Sequence, residues 1–120
     1  MSYDYSLFKP LSDGPMSSWP VELPKKLGSV EEVKQILSAV FPNTDWELCD
    51  DTWFGRWESE AAYAEFQLTP ESDAGVHFLT MRRVERAEVE RLCGHLDVIA
   101  IDSQTMEQYS NSSQRWRRTE

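Results

Sequence analysis

Glu58 and Glu60 stand two positions apart and are the pair best spaced for acid–base chemistry in this chain. On an extended segment they share a face at about 7 Å, a separation at which one carboxyl can hold a proton while the other acts as base. Acidic surfaces produce such pairs by chance, so a carboxylate-dependent hydrolase is the enzyme reading they allow and nothing more. Metal chemistry finds less. His77 and His95 are the only histidines and fit no HxH, HExxH or EF-hand spacing. Asp50 and Asp51 are adjacent, which sends their carboxylates to opposite sides of a strand. No GxSxG elbow, Cys/His pairing or Gly-rich phosphate loop occurs. The expectation is a protein with no catalytic residues, no metal and no cofactor.

Those carboxylates belong to a longer pattern. Residues 43–75 hold Asp45, Glu47, Asp50, Asp51, Glu58, Glu60, Glu65, Glu71 and Asp73 against one cation, Arg56. The same stretch carries Trp46, Trp53 and Trp57, three of the five tryptophans, with Phe54, Tyr63 and Phe66. Carboxylates steer an encounter over distance, and large rigid aromatics anchor the complex that follows. So many aromatics in one short stretch are hard to bury together in a small domain, so some should face a partner. Asp50, Asp51, Trp53, Phe54, Trp57, Glu58 and Glu60 form the expected partner-binding set. Trp53 and Trp57, placed around a bend or bulge at Gly55, are its exposed anchors, and Trp46 is assigned to the core.

At 120 residues and net charge −9 the chain fits one domain. That charge repels nucleic acid and anionic membranes and favours basic proteins as partners. Arg115, Trp116, Arg117 and Arg118 near the end make a small basic-aromatic patch, too few cations to reverse the balance. Cys49 and Cys93 read as two buried free thiols. The opening residues lack a basic stretch followed by an apolar run, and nothing approaches a membrane-spanning length, so the expected compartment is the cytoplasm.

The elements that must position these residues are legible in outline. Tyr3, Tyr5 and Leu7 alternate with polar neighbours, a strand that Pro10 ends. Residues 9–28 hold four of the six prolines and form a long loop. Ser29 and Glu32 make a capping box for a helix whose stripe is Val30, Val33, Leu37 and Val40, stopped by Pro42. Strands follow at 46–49, 62–68 and 76–84, the last two forming a hairpin across a turn at 70–75. A second helix spans 86–96, a covered strand 98–101 and a short strand 106–109. This predicts an α+β fold: one domain over 1–109, mainly antiparallel sheet with two helices on one face, and a polar, flexible tail over 110–120.

The chain resembles the small bacterial immunity proteins that neutralise polymorphic or contact-delivered toxins. The likeness lies in the opening Ser2-Tyr3-Asp4-Tyr5-Ser6-Leu7-Phe8, the acidic tryptophan-bearing middle, and the helix-then-strand ending through Asp102-Ser103-Gln104-Thr105. It implies an antagonist that occludes a cognate, basic toxin. Asp50, Asp51, Glu58 and Glu60 would then set the encounter, and Trp53 and Trp57 would be the anchors. A small acidic secretion chaperone, holding an effector segment along its sheet edge, is the other binding reading.

Overall fold

The computed structural model describes residues 4–10, 25–111 and 113–118. Its elements are β1 (Asp4–Phe8), β2 (Gly28–Ser29), α1 (Val30–Val40), β3 (Asp45–Cys49), β4 (Thr52–Glu58), β5 (Tyr63–Leu68), β6 (Gly75–Val76), β7 (Leu79–Arg82), α2 (Arg86–Leu96), β8 (Ile99–Asp102), β9 (Glu107–Ser110) and β10 (Arg117–Arg118). Eight strands form one antiparallel sheet in the order β10-β9-β8-β1-β7-β5-β4-β3, and β2 pairs with β6 beside it. The fold is α+β, with both helices against one face of the sheet.

Alternation along the strands explains that asymmetry. Tyr5, Leu7, Ala64, Phe66, Leu68, Leu79, Met81 and Ala100 are buried and point to the helices. Val33, Leu37 and Val40 of α1 and Val89, Leu92, Cys93 and Leu96 of α2 meet them in one core. A period-2 apolar face against a period-3.6 stripe can exclude water from both only when stacked in this way. Ser29 accepts from the Glu32 amide at 3.2 Å and Glu32 accepts from the Ser29 amide at 2.9 Å, so the capping box is formed. Arg91 donates to the Val40 carbonyl at 2.7 Å, tying the end of α1 to α2.

Among the described residues no helix covers the opposite face, which organises its charge differently. Asp45, Arg56, Glu65, Arg82 and Asp4 lie directly across from one another on successive strands, alternating in sign. Cross-strand pairs of opposite charge each contribute a few tenths of a kcal/mol to about 1 kcal/mol, and a solvated sheet face can use them in place of a second helix layer.

Several elements differ from expectation. The strand expected over 76–84 is split: β6 joins β2, while β7 joins β5 and β1. Just before β6, Asp73 accepts from the Gly75 amide at 2.9 Å and meets His77 at 3.0 Å, bracing the turn that leads into it. The tail read as flexible carries β10, which pairs with β9, and Trp116 stacks near Tyr5 and Tyr109. Of the loop over 9–28, residues 11–24 lie outside the described residues; its stem closes with the Lys25 amide donating to the Lys9 carbonyl at 2.9 Å.

Gly55 makes no bend. β4 runs in regular register through it, paired with Trp46 on one side and Phe66 on the other. Its missing side chain is the reason Trp46 fits: a Cβ there would lie 2.8 Å from the indole. Gly55→Ala is therefore expected to lift the indole off the strand and cost about 1–3 kcal/mol in urea unfolding. Trp46→Leu in the same chain should recover part of that loss, because it removes the clash. Strictly additive losses would mean that the ring and Gly55 do not compete for the space.

Candidate functional site

The acidic stretch folds as the meander β3–β4–β5, which forms one end of the sheet. Asp50 and Asp51 are the two-residue turn between β3 and β4, and Asp50 has φ 57°, the left-handed value that primed hairpin turns need at that position. Both are exposed. Glu58 closes the far end of β4, and Glu60 lies beyond it in a turn where the Ser59 amide donates to the Ala62 carbonyl at 2.9 Å. The strand ends before Glu60, so the expected same-face carboxylate pair does not exist. The hairpin turn and the Glu58–Glu60 turn are separated by the length of β4.

The aromatic residues divide by face. Trp53 and Trp57 point with Gly55 to the helices, and Phe54 points to the open face with Arg56 and Glu58. Trp57 is not an exposed anchor. It is 9% exposed and packs on Phe41 at 4.9 Å between ring centroids, filling space that α1 leaves above Ala64. Trp53 is half-buried, with the Lys34 ammonium 3.6 Å over its ring. Trp46, expected in the core, is half-buried above Gly55 and donates to the Ser38 hydroxyl at 3.3 Å. Strand parity decided these outcomes: a strand that continues through Gly55 carries Trp53 and Trp57 inward together.

What remains outward is a different set. Asp45, Asp50, Asp51, Glu58 and Glu60 are exposed and join no ion pair among the described residues. Glu47 is also exposed and meets Arg56 at 3.7 Å. Leu48 on the outermost strand is 52% exposed and Phe54 is 36% exposed. Sequence reasoning passed over Leu48, although its place in a short strand that opens the acidic run was the available signal. Beside Phe54, the open face dips into a shallow depression of about 190 Å³ lined by Glu47, Arg56, Glu65, Gln67 and Arg82. Cys49 is exposed too, contrary to expectation, whereas Cys93 is buried and its thiol is pushed up to about 12 by burial and by the nearby Glu90 charge.

The most highly connected polar cluster lies elsewhere and was missed. Arg86 Nη2 donates to Asp102 and to Glu107, each at 2.8 Å, with a further hydrogen bond to Tyr5. Its guanidinium sits 4.3 Å over the Trp116 ring, whose indole N–H donates to Glu90 at 2.8 Å. Asp102 is 1% exposed and also accepts from the amides of Gln104 and Thr105. Burial alone would raise its carboxyl; the bond from Arg86 and the two amides outweigh this and hold it below the ordinary value. Every group in the cluster has a partner, which suits a structural clasp rather than a reacting centre.

Among the described residues no group of three or more His, Cys, Asp or Glu side chains is gathered to hold a metal, and no helix is long and apolar enough to cross a membrane. Comparison with known proteins finds no matching family model, no matching curated protein and no matching solved structure.

Proposed function

We propose that the chain is a cytoplasmic protein-binding antagonist, an immunity protein that occludes a cognate basic toxin with the acidic β3–β4 hairpin and the turn after β4. The reading is carried by the carboxylates Asp45, Asp50, Asp51, Glu58 and Glu60, which are exposed and join no ion pair among the described residues, with Phe54 exposed on the open face that Asp45 and Glu58 share. Long-range attraction and a small apolar contact are together what a rapid, oriented encounter needs. Trp57 drops out of the contact set, Phe54 takes the anchoring role on the open face, and Leu48 adds apolar surface on the other side of the outermost strand.

Affinity purification from the native cell tests the class. A stoichiometric basic partner whose toxicity disappears on co-expression supports it; recovery of no partner counts against it. With that partner in hand, Asp50→Asn with Asp51→Asn should lower the association rate by about tenfold at low salt, flatten its salt dependence and leave dissociation nearly unchanged. A change confined to dissociation would assign these residues to contact instead of steering.

A secretion chaperone is supported by the same open edge, since an unfolded segment can lie along it. The two readings part on the partner, which is folded when bound by an antagonist and extended when held by a chaperone. A hydrolase working through a carboxylic acid is favoured by an enclosed carboxyl kept protonated; Asp102, the buried one, is held toward its ionised form by Arg86 and two amides, and Glu58 and Glu60 are exposed.

A further inference from the structure

The outer edge of β3 is free of any neighbour among the described residues. Natural edge strands are commonly closed by bulges, by proline, by charged side chains (lysine above all) or by great shortness. β3 has five residues in unbroken register with β4 and carries no lysine or proline; its charges, Asp45 and Glu47, are both acidic and guard the edge against acidic strands only. We propose that this edge takes up an added antiparallel strand from the partner, a segment in which basic and apolar side chains alternate. The proposal rests on the reading of a basic protein partner and names how that partner is held.

Hairpin geometry fixes which groups are available. Cys49 and Thr52 flank the two-residue turn and exchange backbone bonds with each other, as do the alternate pairs beyond them. The backbone groups of Trp46 and Leu48 therefore point away from β4, toward an incoming strand. Side chains set the pattern of that strand. Asp45 and Glu47 project to the open face, so residues opposite them should be basic. Trp46 and Leu48 project to the helix side, and Leu48 is 52% exposed, so residues opposite them should be apolar. Asp50 and Asp51 at the hairpin tip add attraction along the approach. A second copy pairing through its own β3 would set Asp45 and Glu47 against like charges, which is destabilising. All strand pairs of the described sheet are antiparallel, and the added strand follows suit.

The probe is the capped peptide Lys-Val-Lys-Val-Lys, compared with Lys-Lys-Lys-Val-Val of the same composition and charge, each titrated into the full chain by calorimetry. The alternating peptide is expected to bind at least about tenfold more tightly. Leu48→Pro removes an outward N–H at an edge position, where proline is tolerated, and should erase that preference, whereas Leu48→Val should keep it. If circular dichroism shows Leu48→Pro to be unfolded, N-methylated peptides decide. Methylation of both valines, which face Trp46 and Leu48, should abolish binding, and methylation of the central lysine should not.

Equal affinity for the two peptides, or tolerance of the methylated valines, overturns strand addition and leaves simple charge attraction. Self-association of the free chain in sedimentation, suppressed by Leu48→Pro, also overturns it by giving the edge to another copy. If strand addition fails while a basic toxin from the native cell is still bound and neutralised, the antagonist reading stands. If the peptides bind as expected and no basic partner is recovered, the antagonist reading is what falls.

Discussion

Arg86→Met is expected to destabilise the chain by about 3 kcal/mol in urea unfolding. Asp102 is 1% exposed and Arg86 is the cation that meets both it and Glu107. Removing the guanidinium strands a buried carboxylate and frees Trp116, which loses its cation–π partner. Acid dependence gives the sharper readout. Asp102 and Glu107 have folded-state pKa values below their ordinary ones. Their contribution is complete above the unfolded carboxyl range near pH 4 and is lost as pH falls through the folded values. In the variant, burial without a cation raises Asp102 above its unfolded value. Its sign then reverses, and stability drops as pH rises through the unfolded pKa toward the folded one. A loss below about 1 kcal/mol, with the parent's acid profile intact, would show that the Gln104 and Thr105 amides suffice for Asp102 without Arg86.

Trp57→Ala should cost about 3–5 kcal/mol, the usual range for truncating a buried large aromatic. The ring packs against Phe41 on one side, and its strand partner Ala64 is too small to fill the void. Trp53→Ala should cost clearly less, because that ring is half-buried and part of its contact is to the flexible Lys34 chain. Thermal melts of the two variants give the comparison. A Trp57 variant that keeps the parent's melting temperature and loses partner affinity would return this residue to the surface and undo the placement of the contact set.

Local signals of strong character were readable in the sequence. The capping box at Ser29 and Glu32, the stop at Pro42 and the stripe Val89, Leu92, Cys93, Leu96 each depend on neighbours within two turns, and each is realised. The α+β class followed from the alternation of these patterns. The candidate site was less legible because it depended on parity along one strand. Gly55 read as a bend that turned Trp53 and Trp57 outward together; in the sheet the strand runs straight through it and it makes room for Trp46, a contact that strand pairing creates. Arg86 carries no local signal of its role, since its partners Asp102 and Glu107 stand at the end of β8 and the start of β9 and meet it only in the folded sheet. The charge ladder across the open face has the same origin: Asp4 and Arg82 are far apart in sequence and meet only when β1 enters the sheet.

The position of β1 has a consequence for how the chain is made. β1 lies between β7 and β8, and Leu7 faces Ala100 across the second of these pairings. The β3–β4–β5–β7 meander joins neighbours in sequence and can assemble as it is synthesised. β1 emerges first, yet its far partner follows roughly ninety residues later, or about 5–20 s at ordinary rates of synthesis. Until then Tyr5 and Leu7 have half a binding groove, and the clasp on Asp102 has nothing to close upon. β1 thus joins parts of the sheet made at different times, and its second edge is filled only when β8 arrives.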